Sequence, residues 1–483
     1  MLTAEEIRQF LEEDEASMLK KRAREGQRYY DGNHDILDYR MFYWNADGIL
    51  VEDNTRANAK IPHMFFTELC DQATQHILSG DEGIFRTDIP ELQEQLDLYF
   101  NKNEVWMSEL SETITGLQVK GFDYMYAYNG KDDRLQFENA DSIGVVEVEG
   151  RFADDGKDQR IWKYIDRVDK DGNTQWKILV IDDKYTYYWK QTNDGEIIED
   201  NSVEVNPKPH KVYQKKGSSR LFIRPAEYLP FFRADFNKKK ISHLYSVKTL
   251  IDDYDLMSSS LTNNLIDFDT PIHVVRGYQG DDLTELQTNL KTKKIIGVEE
   301  DGGVEVHTVN VPYEARKAKM EMDEKNIYRF GMGLNMQGLK DTSATTNIAI
   351  KAAYSLLDLR CSKIIIQIKK MLREILRVVI DEINSQRGTD YQPSQVWFNF
   401  EPEIMSNAQE NAQIKLTEAQ TQQILINVLL GLADRLDDET LMQQICDCLD
   451  LDYNEIKGKL PDPNENVNSL TSAIDTVAGG LGE

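Results

Sequence analysis

Cysteine is scarce in this chain, with four among 483 residues, and histidine nearly so, with seven. So few thiols exclude a disulfide-stapled scaffold. Cys446-Asp447-Cys448 lacks both metal-ligand spacing and a second pair, whereas zinc commonly needs four converging ligands, so the thiols read as structural. The histidines are scattered, and none has a partner at ligand spacing. Catalytic signatures are also missing: no P-loop, HExxH, GxSxG or kinase motif occurs. Gly331-x-Gly333 with Gly338 has the wrong spacing for a dinucleotide fingerprint and follows no strand. Asp169, Asp171 and Asn173 begin like a calcium loop, but no Gly at the sixth place or Glu at the twelfth completes one. Together these absences predict no catalytic residue, no metal and no cofactor, and favour a mechanical or binding role. A carboxylate cluster without a motif is the pattern that would keep an enzyme in play. Long apolar runs are lacking too. Ala419 to Ala433 is broken by Thr, Gln and Asn and falls short of the roughly 20 residues a membrane span requires. The acidic start, Glu5, Glu6, Glu12, Glu13 and Asp14, is unlike a signal peptide and predicts an intracellular origin.

Basic charge is the last shortage: 56 Lys and Arg against 84 Asp and Glu give a net charge of -28. A conventional nucleic-acid binder would instead carry a basic face. The imbalance is uneven. Glu401 to Glu483 holds sixteen acidic and four basic residues, whereas Lys351 to Arg377 holds seven basic residues, Arg360 among them, against Asp358 and Glu374. A solvated face is the default for that basic run.

What is present is helical periodicity of unusual length. Ala349, Ala353, Leu357, Cys361, Ile364, Ile368, Leu372, Ile375, Val379 and Ile383 recur at steps of three or four. No Pro or Gly interrupts Thr346 to about Gln386, so the spacing predicts a rod of roughly 60 Å. Earlier, Thr3 with Glu6 is a capping box that opens a charged helix running to Tyr29. Further helices are expected over Pro62 to Leu78, Glu91 to Asn101 and Val105 to Lys120. Phe122 to Tyr128 then alternates as a strand. Arg160 to Val168, Gln175 to Ile181 and Lys184 to Lys190 read as meandering hairpins with turns at Asp169 to Asn173 and Asn193-Asp194-Gly195. Leu244 to Phe268 returns to helix, with Leu244, Val247, Leu250, Ile251, Tyr254, Met257, Leu261 and Leu265 on one side. A small unit follows: a strand at Ile272 to Val275, a short helix at Leu283 to Leu290, and strands at Lys294 to Val298 and Val304 to Val309 around an Asp301-Gly302-Gly303 turn. So small a unit buries too little apolar surface to stand alone. Pro312 opens a helix to Phe330, and the glycines after it predict a flexible, polar loop.

These residues resemble those of the portal proteins, the head-to-tail connectors of tailed double-stranded DNA bacteriophages. Tyr29-Tyr30-Asp31-Gly32-Asn33-His34-Asp35-Ile36 is similar to that family's Tyr-Tyr-x-Gly-x-His-x-Ile element, and Asn54, Asn58, Ile61 and Pro62 to its next block. Leu250 to Asn264 resembles the stem helix, and Thr342 to Lys351 the join between the tunnel loop and a long helix. Asn237 to Ser242 departs from the usual Asn-Glu-x-x-x-Ser pattern.

The resemblance implies an α+β, mainly helical chain with wing, stem, clip and crown, assembled as a ring of about twelve around a central DNA channel. Residues 1–241 would form the wing, 242–270 and 312–331 the stem helices, and 271–311 the clip. Residues 332–347 would be the tunnel loop, 348–400 the long helix and wing return strand, and 401–483 the crown and tail. The implied role is a non-enzymatic portal through which double-stranded DNA is packaged and ejected. Its implied partners are the terminase large subunit, a head-completion adaptor, and capsid and scaffolding proteins, with no membrane. Its place would be the portal vertex of the virion, after assembly in the host cytoplasm. Another virion protein, such as a capsid or adaptor subunit, or a metal-dependent nuclease are the competing readings. Candidate DNA-facing loop residues are Asn335, Met336, Gln337, Lys340, Asp341 and Thr342; the stem adds Lys325 and Arg329. The candidate partner surface of the clip is Tyr278, Lys291, Lys293 and Lys294. An acidic wall with few cations would let a polyanion slide without being held.

Overall fold

A computed structural model describes residues 2–400, apart from 55, 81–82, 131–133, 153–155, 157, 169–171, 173, 215–220, 225–227, 269–271, 279–281, 283, 285, 287–297, 308–312 and 336–346, together with 408–431 and 438–448. The chain divides into two compact units, Met1–Asp341 with Ala352–Glu403, and Thr342–Lys351 with Ile404–Glu483. Helices and antiparallel sheets mix in the first unit, and helices outweigh strands.

The chain begins with α1 (Ala4–Ala16), whose Thr3–Glu6 capping box forms as expected. The single charged helix expected to Tyr29 is instead two. Ser17 is extended, ends α1 and caps α2 (Met18–Tyr30) by accepting from the Lys20 amide at 3.2 Å. The break aims Lys20 inward, where its ammonium donates to the carbonyls of Ser142 and Val145 and pairs with Asp14 at 3.0 Å. A hairpin, β1 (Phe42–Trp44) and β2 (Leu50–Glu52), follows. Next comes α3 (Phe65–Leu78), which starts three residues later than expected because Pro62 belongs to an extended segment described below. Then follow β3 (Phe85–Arg86), α4 (Pro90–Leu96) with a π turn at Asp97–Asn101, and α5 (Glu104–Lys120). Gly121 closes α5 at φ +90, a left-handed position that suits glycine.

The β-rich part holds β4 (Phe122–Asn129), β5 (Leu135–Ala140), β6 (Val145–Val148), β7 (Gln159–Val168), β8 (Thr174–Ile181), β9 (Tyr185–Gln191) and β10 (Ile197–Glu199). Short strands β11 (Lys208–Pro209), β12 (Lys211–Gln214), β13 (Leu221–Arg224) and β14 (Phe231–Asp235) complete it. Strands β6 to β10 form an antiparallel meander, and β14-β4-β5 a second sheet. Side chains alternate across β8: Ile178 and Val180 join Ile7 of α1 in one core, while Leu179 and Ile181 join Ala23 of α2, Tyr124 and Phe231 in another. The meander is thus covered on both faces.

The rest of the first unit is a helical core. It contains α6 (Lys248–Phe268), β15 (Ile272–Tyr278), β16 (Val298–His307), α7 (Tyr313–Phe330) and, from Ala352 onward, α8 (Asn347–Arg387), after which β17 (Trp397–Phe398) returns to pair with β3. Helix α8 has 41 residues, and its apolar stripe from Leu357 to Ile383 is buried. The second unit has α9 (Ala408–Leu430) and α10 (Asp438–Cys448).

Candidate functional site

Helices α6 and α7 run antiparallel: His243, just before α6, reaches the Gly331 carbonyl, while Asp253 meets Lys319 further along. Apolar packing holds their joined end, where Leu244, Val247, Ile251, Ile327 and Tyr328 are buried with Phe66 and Leu69 of α3. The apolar side expected of α6 extends only that far. Beyond Tyr254 the inward row is polar, with Asp255, Ser259 and Asn263 buried, whereas Leu265 is exposed.

An extended strap explains this polar row. The amides of Ala57, Ala59, Ile61 and His63 donate to Asp267 (3.0 Å), Asn263 (2.6 Å), Ser259 (3.0 Å) and Asp255 (2.9 Å). Alternate residues of the strap thereby meet every fourth residue of the helix, which satisfies buried backbone donors that no sheet supplies. Asp255 also gathers two histidines, with His34 Nδ1 at 2.7 Å and His63 Nδ1 at 2.8 Å. Tyr29 stacks on His34 and donates to Asp252, and Lys248 bridges Asp35 (2.5 Å) and Asp252 (2.9 Å). The Tyr-Tyr-x-Gly-x-His element therefore docks the end of α2 onto α6. Burial works against ionisation of Asp35, but its bonds to Lys248 and Arg28 prevail and hold it down at about 2.

Between α6 and α7, β15 and β16 form one antiparallel ladder. Here the structure corrects the expected Asp301-Gly302-Gly303 turn. These residues lie inside a continuous β16 where the register shifts between Arg276 and Tyr278. Gly277 at φ +62 and Gly302, where an added Cβ would lie 2.6 Å from the Arg276 carbonyl, allow the bulge. Tyr278 pairs with Val298 in this ladder; Lys291, Lys293, Lys294 and most of the expected helix at Leu283 to Leu290 lie outside the described residues.

The start of the loop after α7 is not loose, contrary to the reading of its glycines. An added Cβ at Gly331 or Gly333 would lie 2.5 or 2.2 Å from Leu69, so both serve close packing. Gln72 clamps Leu334, accepting from its amide and donating to its carbonyl, both at 3.0 Å. Arg360 of α8 completes the root. Expected on a solvated basic face, it is 2% exposed and donates to the carbonyls of Leu69 (2.9 Å) and Gly331 (3.2 Å) and to the Gln118 amide oxygen (2.5 Å). Burial, then the Arg360 charge, push the His243 imidazole well below its ordinary range, so it serves as a neutral donor to Gly331.

Of the candidate DNA-facing residues, Lys325 and Arg329 are exposed on α7, and the Asn335 amide is tied to Glu324 at 3.3 Å. Met336, Gln337, Lys340, Asp341 and Thr342 lie outside the described residues, as does the tail beyond Cys448. Lys325 and Arg329 thus share one helix, to which Asn335, the described member of the loop set, is also bonded. Among the described residues no group of three or more His, Cys, Asp or Glu, the His34–Asp255–His63 set included, is arranged so that it could hold a metal ion, and no helix is long and apolar enough to cross a membrane. Sequence reasoning missed Arg360, Gln72 and Gln118, and the His34–Asp255–His63 cluster. The usable signal was Asp255, Ser259, Asn263 and Asp267, a polar row at steps of four within an otherwise amphipathic helix.

Residues 11–449 match the family described as "Phage portal protein, SPP1 Gp6-like". A portal protein of Bacillus phage SPP1 is 25% identical over 373 residues, covering 76% of this chain and 71% of its own length. Another, from Clostridium phage phiCD119, is 29% identical over 191 residues, covering 38% of this chain and 41% of that protein. Among solved structures, a chain from the neck of a native GTA particle covers 79% of this chain and 90% of its own, at a TM-score of 0.37 and 11% identity.

Proposed function

Since this chain belongs to the phage portal protein family, SPP1 Gp6-like, we propose that about twelve copies close into a ring whose bore passes double-stranded DNA during packaging and ejection. A portal protein is a virion component at the head vertex, and its role is structural rather than enzymatic. The match across residues 11–449 carries this reading.

Within the ring, α6 and α7 form the stem, the β15–β16 ladder belongs to the clip, and residues 401–483 form the crown and tail. The clip docks the terminase large subunit and later the head-completion adaptor; capsid and scaffolding proteins meet the outer body. Assembly takes place in the host cytoplasm. Lys325 and Arg329, with Lys340 of the loop, offer transient phosphate contacts within an otherwise acidic wall. A few weak contacts suit passage, because many neutralised phosphates would hold the duplex.

Negative-stain imaging and native mass measurement of the purified chain test the ring. A closed particle with a hole of duplex width is expected, and a stable monomer at micromolar concentration overturns the reading. Lys340→Glu should lower the amount of packaged DNA without disturbing ring assembly; unchanged packaging removes the loop contact.

A further inference from the structure

The β1–β2 hairpin has almost no packing of its own. Its strands are three residues each, paired Phe42↔Glu52, Tyr43↔Val51 and Trp44↔Leu50. Phe42, Tyr43, Trp44, Ile49 and Leu50 are all exposed, Trp44 at 70%. Because successive residues of a strand point to opposite faces, both faces of the ribbon are apolar and uncovered. A lone two-stranded hairpin is marginal in water, so a ribbon of this composition calls for something to lie against. Its surroundings are acidic: Asp38, Asp47, Glu52 and Asp53 outnumber Arg40 and Arg56.

A second uncovered surface carries the complementary pattern. On α8, opposite the buried stripe, Leu356, Leu359, Lys363, Ile366, Lys370, Arg373 and Arg377 are exposed at steps of three and four. Three large apolar side chains are followed and interleaved by four cations. Among the described residues, none of these four cations takes part in an ion pair within the chain, whereas Arg40 pairs with Glu52 and Arg56 with Asp267 at the hairpin.

We propose that the hairpin of one copy packs across the outward stripe of α8 in a second copy of this chain. The inference rests on the ring reading above. A ring is closed by heterologous contacts, in which one patch of the chain meets a different patch of its neighbour. The two surfaces fit that demand. Aromatic and aliphatic side chains meet Leu356, Leu359 and Ile366, and the acidic margin meets Lys363, Lys370 and the arginines beyond. DNA is the lesser fit for the stripe, since leucine and isoleucine at its centre offer a phosphate backbone nothing. The three aromatics bring on the order of 150–250 Å² each. A stable interface buries about 1,600 Å² in total, so the hairpin supplies an anchor within a larger contact.

Full-length protein tests this by cross-linking. One batch carries Trp44→Cys and another Leu359→Cys, so that on mixing and oxidation a bond between the two engineered positions can form only between copies. The expected result is a disulfide dimer from the mixture and a ladder of multiples from the double variant. Trp44→Ala, at an exposed position that leaves the fold's melting temperature unchanged, should raise the concentration needed for ring assembly by about tenfold or more, as an interface anchor does. Lys363→Glu should weaken assembly, and Asp47→Lys placed with it should recover part of the loss. Rings that form at unchanged concentration in the Trp44→Ala variant, with no cross-link between positions 44 and 359, overturn the inference and leave the portal reading standing. A Lys363→Glu variant that assembles normally but retains less DNA also overturns it, and assigns the stripe to nucleic acid. Failure of the unmodified chain to form any ring counts against the portal reading instead.

Discussion

The β-rich part and the helical part of the first unit each bury one cation against backbone carbonyls, but they support it differently. Lys20 has a carboxylate, Asp14, beside it, and that carboxylate is still partly open to water. For Arg360 the hydrogen-bond acceptors among the described residues are all neutral: two carbonyls, the Gln118 amide and, more distantly, the Cys70 sulfur. Burial lowers the pKa of both cations, and Asp14 opposes that shift at Lys20. A guanidinium can be held this way because five donors in a planar fork reach several acceptors at once. An ammonium concentrates its donors on one nitrogen. The difference teaches that Lys20 fastens two neighbouring pieces, α2 and the turn before β6, whereas Arg360 gathers α3, α5, α8 and the loop root to one point.

Breaking that contrast at Arg360 should have the largest effect. In Arg360→Leu the Leu69 carbonyl and Gln118 lose the guanidinium inside the core, and at about 1 to 3 kcal/mol for each of the two acceptors the loss is about 2 to 6 kcal/mol. The urea midpoint of the full chain measures it, and Arg360→Lys should recover only a minor part. Lys20→Met is expected to cost about 2 kcal/mol by the same measurement, because the freed Asp14 can take up water. An equal or greater loss at Lys20 would erase the distinction. Ser259→Ala removes one rung of the strap and should cost about 1 kcal/mol, with faster amide exchange at Ile61. The smallest effect is a pH dependence. Asp35 is lowered from 3.8 to about 2 in the fold, so its contribution is present above about pH 4 and fades as pH falls toward 2. Asp35→Asn should flatten that part of the stability profile.

Much of the fold was legible because it rests on local periodicity. The buried stripe of α8, the hairpin meander and the Gly121 stop all follow from spacing that short-range sterics enforce. The misreadings occurred where a long-range partner overrode the local signal. Ser17 breaks a helix because Lys20 finds carbonyls more than a hundred residues away. Pro62 is drawn from α3 into a strap by side chains of α6. Gly331 and Gly333 suggested mobility, yet Leu69 occupies the space a side chain would need. Arg360 looked like one more member of a basic run, since nothing local separates a buried arginine from a solvated one. Of the candidate site, the succession of α6, the β15 strand and α7 was legible from periodicity; the anchor at Arg360 emerged only from three-dimensional proximity.

The strap has one more consequence, as a vernier. Two extended residues advance about 6.6 Å and four helical residues about 6.0 Å, so the two scales slip by roughly 0.6 Å per rung. Across the three intervals from Asp255 to Asp267 the slip reaches about 2 Å, near what short side chains can absorb. The device is therefore self-limiting at about four rungs, and it gauges the phase of α6 rather than merely gripping it. One residue inserted between Ser259 and Asn263 would rotate the far half of the helix by about 100° and unhook both outer rungs together. The hairpin rooted at Arg56 would lose its alignment in the same step.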